Sequence, residues 1–171
     1  MTEQGTPQQP GWEARALVTV AAAELLRSLH GDHGPLMFHQ SGGCCDGSAP
    51  MCYPDGDFII GDRDVLLGRV DVGAGVPPIP VWISGSQYAA WRHTQLIVDV
   101  VPGRGAGFSL EAPTGQRFLT RSRVIPGDLL RELPEPLTGA EIEAGAEPPV
   151  AYPPVDPTQV ADNACAVPGE N

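Results

Sequence analysis

The sequence contains no lysine: all 10 basic residues are arginine, set against 21 acidic ones. The formal net charge of -11 and a pI near 4.6 leave no basic footprint of the kind a phosphate backbone requires, which argues against nucleic acid as a partner. Anionic membrane surfaces are disfavoured for the same reason. Long hydrophobic runs are also lacking, and none approaches the length that crosses a bilayer. The one stretch that imitates a targeting segment, Leu17 to Leu26, follows Glu3 and Glu13 and is interrupted by Glu24, so it reads as a helix. These absences lead to the expectation of a cytoplasmic protein that meets neither nucleic acid nor membrane.

What is present in excess is Gly (21) and Pro (19), which with a hydrophobic content of 42% points to many turns and a segment without structure. Residues 1–11 are polar and rich in Gln and Pro, and read as a flexible arm. From Glu13 to His30 the residues Leu17, Ala21, Leu25 and Leu29 recur at helical spacing, with Gly31 or Gly34 as the stop. Beyond Pro35, short runs of β-branched and aromatic residues alternate with Gly, Asp and Pro turns. Strands are expected at 36–40, 58–60, 65–72, 81–83, 96–101, 107–111 and 117–124, the last three forming an antiparallel meander, with a helical turn at 86–91. Residues 134–171 carry seven acidic residues, no basic one and repeated prolines, and read as a disordered tail with a transient helix near Glu141. The expectation is therefore one β-rich domain over 12–133, of α+β class, an antiparallel sandwich or small barrel with one N-terminal helix.

Cysteine is scarce, with four in the chain, yet Cys44, Cys45 and Cys52 fall close together. Clustered thiols in a cytoplasmic chain indicate metal binding or thiol chemistry more than disulfides. Gly42 and Gly43 let the backbone turn beside Cys44 and expose N–H groups that would favour a thiolate. A thiolate there is either a ligand or a nucleophile. As ligands, Cys44, Cys45 and Cys52 with His39 and His93 offer an N/S set suited to zinc or iron, although the spacing is not that of a zinc-ribbon knuckle. As a nucleophile, Cys44 or Cys45 would attack an electrophile or oxidised sulfur. The bland reading, three small buried hydrophobes, has little core to join in a loop of Gly, Asp, Ser and Pro.

Other motifs carry less. Gly103, Gly105 and Gly107 imitate a dinucleotide fingerprint but are followed by Phe108-Ser109-Leu110-Glu111, not by a helix N-terminus, so no nucleotide cofactor is expected. Asp55, Asp57, Asp62 and Asp64 lack the order of a calcium loop and read as turn residues. His30 and His33 flank helix-ending glycines. Asp99, in the apolar run 96–101, needs a partner if buried, and Arg104, Arg117, Arg121 or Arg123 can supply it; Glu111 is weighed the same way.

The string Met37 to Tyr53, with its Ser-Gly-Gly-Cys-Cys-Asp-Gly core, resembles family 779 of the domains of unknown function (DUF779). So do Trp91-Arg92-His93, Asp99 to Gly105, Gly107 to Glu111 and Arg117 to Arg123, and the resemblance spans about residues 15–125. It implies a small bacterial protein encoded beside aldehyde dehydrogenases. The chain is too short to hold a cofactor domain and a catalytic domain of its own, so a pathway is implied and not a dehydrogenase reaction. The expected function is a zinc- or iron-binding accessory protein of aldehyde or alcohol oxidation. The alternatives are a thiol enzyme acting on a reactive aldehyde or persulfide, and an interaction module for an aldehyde dehydrogenase.

Overall fold

The structure is a computed structural model and describes residues 11–40, 49–105 and 107–157. Cys44, Cys45 and Cys165 lie outside the described residues.

Two sheets enclose one core. The first has the order β1 (Ala16–Val18), β6 (Thr94–Pro102), β7 (Gln116–Val124); the second runs β3 (Met51–Pro54), β2 (Leu36–Gln40), β5 (Ile79–Ile83), β4 (Val65–Val70), β8 (Leu137–Thr138), with β9 (Ala151–Tyr152) also on β4. Alternation along the strands turns Ala16, Val18, Leu96, Val98 and Phe118 of one sheet toward Phe38, Leu67, Val81 and Ile83 of the other. Phe38 and Phe118 meet edge to face across the gap, with ring centroids 5.0 Å apart. Helix α1 (Val20–His33) packs its buried Ala22, Leu26 and Leu29 against β6 and β2, closing one side. The expected β-rich α+β class is found. The sheets are mixed, not purely antiparallel, because β1 with β6, β2 with β5 and β4 with β9 pair in parallel. No closed barrel forms among the described residues.

Several expected elements move. The N-terminal helix starts at Val20, because Ala16–Val18 is a fully buried strand and Thr19 is the N-cap, accepting a hydrogen bond from the Ala22 amide at 3.2 Å. The helix runs to Gly34, whose φ of 77° ends it. Residues 58–60 are not a strand; Met51–Pro54 takes the place beside β2. Residues 107–111 are turns leading into a 3-10 turn at Ala112–Thr114, so the expected meander reduces to the β6–β7 hairpin with a long connection. Helix α2 (Gly85–Trp91) matches the expected helical turn, and α3 (Gly127–Glu132) follows β7.

The segment expected to be a disordered tail contributes structure over 134–157. β8 and β9 add to the edge of β4, and helix α4 (Gly139–Glu143) between them opens on a capping box of Thr138 and Glu141. Val155 then bridges Thr19, exchanging main-chain hydrogen bonds with Val18 and Val20. The arm thus joins the free edges of both sheets. Residues 158–171 lie outside the described residues.

Asp99 meets the partner its burial demands. It faces away from the core, accepts from Arg121 Nε at 2.7 Å, and from Thr19 Oγ1 and the Val100 amide at 2.8 Å each. Burial pushes its carboxyl up, but the hydrogen bonds from Arg121, Val100 and Thr19 outweigh this and hold it below the ordinary aspartate range. Arg123 is used elsewhere, donating to Gln95 Oε1 and lying over the Trp12 ring. No helix of the described residues is long and apolar enough to cross a membrane.

Candidate functional site

Strand β2 leads directly into the cysteine segment, and its period of two decides what can join that segment. Phe38 pairs with Cys52 and His39 with Met51, so Cys52 points with Phe38 into the core while His39 points to the opposite face of the sheet. The two residues expected to share an ion are therefore separated by the sheet itself. His93 is further removed. It is exposed beside the start of β6, next to Ile125, whereas Cys52 lies against Ser109 and Leu110 near the level of Phe118. The six residue steps of β7 from Phe118 to Val124 amount to roughly 20 Å of strand.

Cys52 is fully buried. Its amide donates to Ser109 Oγ at 2.9 Å, and the Ser109 hydroxyl donates to Glu111 Oε2. Burial, and then the charge of Glu111, push the thiol well above its ordinary range, so it stays protonated at neutral pH. Glu111 is also fully buried, with its carboxyl raised by burial against the opposing hydrogen bonds from Ser109 and the backbone. Among the described residues its partners are that hydroxyl and the Phe118 amide, not the arginine expected from the sequence. This polar cluster pins residues 109–111 onto β3.

On the other face His39 is 3% exposed and packs against Phe58, with ring centroids 4.2 Å apart and the planes tilted by 32°. Its Nε2 lies 3.4 Å from Asp64 Oδ2. Burial lowers its pKa and Asp64 restores only part of the loss, so the imidazole is neutral at neutral pH. Met37, Leu66 and Trp82 form the apolar floor, joined by Tyr53 and Ile142.

Asp64 is the residue that sequence reasoning missed, having been assigned to a turn. It does close one: Gly61 N donates to Asp64 Oδ2 at 2.8 Å, and Asp64 N to the Gly61 carbonyl at 3.1 Å. That turn is clamped from two sides by close backbone approach. A Cβ on Gly139 would fall 2.2 Å from the Gly61 carbonyl oxygen, and one on Gly85 would fall 2.5 Å from that of Arg63. Glycine at these positions lets α4 and α2 hold the turn so that Asp64 reaches His39. Repeated Asp-Gly turns next to a histidine-bearing strand were a signal for this pair, but one that only the strand register could resolve.

Among the described residues no group of three or more His, Cys, Asp and Glu side chains forms a metal cluster. The mixed two-sheet architecture places the chain among β-rich α+β domains. A family model described as "Domain of unknown function (DUF779)" matches residues 25–124, more than half of the chain, and the protein belongs to that family. Neither the curated proteins nor the solved structures contain a match.

Proposed function

We propose that this protein holds a soft metal ion, zinc or iron, on the thiolates of Cys44 and Cys45 and the imidazole of His39, as an accessory to aldehyde or alcohol oxidation. The observation that carries this reading is the His39–Asp64 pair, a buried neutral imidazole next to a carboxylate, on the last residue but one of the strand that leads into the cysteine segment. A carboxylate behind a histidine fixes the ring and raises its basicity, as metal-ligating histidines require. Thiolate and imidazole together suit zinc and iron. Cys52 and His93 leave the ligand set. The working compartment in this reading is the cytoplasm, where thiols stay reduced, and the partner is an aldehyde dehydrogenase.

Elemental analysis of untagged protein tests this. His39→Gln, Cys44→Ser and Cys45→Ser are each expected to lower metal content and melting temperature together, since ligand binding is coupled to folding. Cys52→Ser is expected to lose stability through its core site but keep its metal. Metal-free native protein would overturn the reading.

A second reading rests on the same pair, because a neutral histidine oriented by a carboxylate is also a general base for a thiol nucleophile. It describes a thiol enzyme acting on a reactive aldehyde or persulfide through Cys44 or Cys45. It requires metal-free protein with one cysteine that is hyper-reactive at neutral pH, and a labelling rate that falls in His39→Gln.

A further inference from the structure

Along the outer edge of β4, β8 pairs with Val65 and Leu66, and β9 with Arg69 and Val70. Between those pairings, at Leu67 and Gly68, lies a cavity of about 600 Å3 whose walls include Leu66, Leu67, Leu133 and Leu137. The volume is within the range of small-molecule sites, roughly 300–1,000 Å3. Its lining includes none of His39, Asp64 and Cys52.

Arg15, just ahead of β1, lines the same cavity and is 6% exposed. Its Nη1 donates to the Arg92 carbonyl at 2.8 Å, and its guanidinium lies 5.7 Å from the centroid of the Tyr88 ring. Its Nε is buried with no hydrogen-bond partner among the described residues, and no described carboxylate lies within ion-pair distance of it. Three acids line the cavity, Glu13, Glu135 and Glu147, and two of them have other partners. Glu135 takes Arg92 at 3.5 Å and the Tyr88 hydroxyl at 3.1 Å, and Glu13 accepts from the Tyr152 hydroxyl at 3.1 Å. Arg69, the other cation of the lining, donates through Nε to the Pro149 carbonyl at 2.8 Å.

A nearly buried guanidinium without an ion-pair partner is costly, and an anion seated in the cavity against it relieves that cost. The leucine walls favour a hydrocarbon body over a bare inorganic ion. We propose that this cavity binds a small amphipathic carboxylate, with the acid group on Arg15 and the chain against the leucines. The C-terminal arm is then part of a binding site, because Leu133, Leu137 and the 147–152 segment form one side of it.

Calorimetric titration of the full chain with octanoate, and with its neutral isostere octanamide, tests the proposal. Octanoate is expected to bind about tenfold or more tightly than octanamide, the margin of a charge-assisted hydrogen bond over a neutral one. Arg15→Gln should erase that preference while octanamide binding persists. Leu133→Trp, which fills the cavity without touching Arg15, should weaken both ligands, and it carries the test if Arg15→Gln does not fold. Equal affinity for the two ligands in the unsubstituted chain overturns the role of Arg15, and absence of binding by either at millimolar concentration overturns the site.

Discussion

An imidazole packed against Phe58 gives up the hydration of its charged form, and Asp64 at 3.4 Å returns only part of it, so His39 titrates below the ordinary histidine range. Between the folded value and the unfolded value of about 6.5, the unfolded chain binds more protons than the native one. The stability due to neutral His39 is therefore fully present above about pH 6.5 and is lost as pH falls from there toward the folded pKa. Asp99 acts in the same direction but in a lower window. Its depressed pKa gives stability that is present above the ordinary aspartate value, about 3.9, and lost as pH falls through the folded value. Below about pH 6.5 the melting temperature of the unsubstituted protein should fall relative to that of His39→Gln, a difference from which the opposite contribution of the raised Glu111 carboxyl cancels. Parallel profiles for the two proteins would assign the titration to another group. Asp99 was legible in the sequence as a buried charge in need of an arginine, because the apolar run around it left no other way to bury it. His39 was legible as a candidate, but its partner was not, since Asp64 is 25 residues further on and comes close only through a turn clamped by Gly85 and Gly139.

Thr19 stands at the junction of β1 and α1 and serves both. Its hydroxyl accepts the Ala22 amide as the helix N-cap and donates to Asp99 Oδ1 at 2.8 Å, tying the helix start to β6. Thr19→Ala loses the cap and a hydrogen bond to a charged group, and should cost about 2 kcal/mol by urea denaturation. Thr19→Ser keeps the hydroxyl and should stay within roughly 0.5 kcal/mol of the parent. A loss no larger for alanine than for serine would mean that the hydroxyl does not hold the junction. The helix itself could be read from its spacing, but β1 could not. Three residues are too few to show alternation, and Ala16–Val18 runs without a break into an apolar helical pattern. The same shortness hid β3, four residues ending in proline. The strand expected at 107–111 fails for the opposite reason: its alternation is real, but its polar members Ser109 and Glu111 are the buried ones, held against Cys52 of β3, and the segment forms turns there and no ladder. Cys52 itself was grouped with Cys44 and Cys45 by proximity in sequence, whereas the register of β3 against β2 sends it into the core.

For the whole molecule, the free edges of β1 and β4 are the weak points, since a two-sheet sandwich ends in rows of unpaired main-chain groups. Residues 134–157 cover both, pairing with β4 through β8 and β9 and with Val18 and Val20 through Val155. The main-chain groups of non-proline residues pair whatever side chain they carry, so an acidic, proline-rich segment without a core of its own can still be ordered by an edge already in place. Composition pointed to a disordered tail and missed that residues 134–157 borrow the core of the sheets they pair with. Val155 is buried with Leu17 and Ile97, and Tyr152 packs alongside. Ending the chain after Leu133 should therefore expose the edge of β4 and the outer face of β1. The burial of Val155 and Tyr152, with the main-chain bonds, sets the loss at about 2–4 kcal/mol. At this size that corresponds to a fall of roughly 5–15 °C in melting temperature, with aggregation on concentration as the uncovered edges pair between molecules. Val155→Asp, which keeps the arm but charges its anchor, should reproduce most of the thermal loss while β8 still covers part of β4. A truncated protein that melts with the full chain and stays monomeric would show that the arm rests on the sheets without stabilising them.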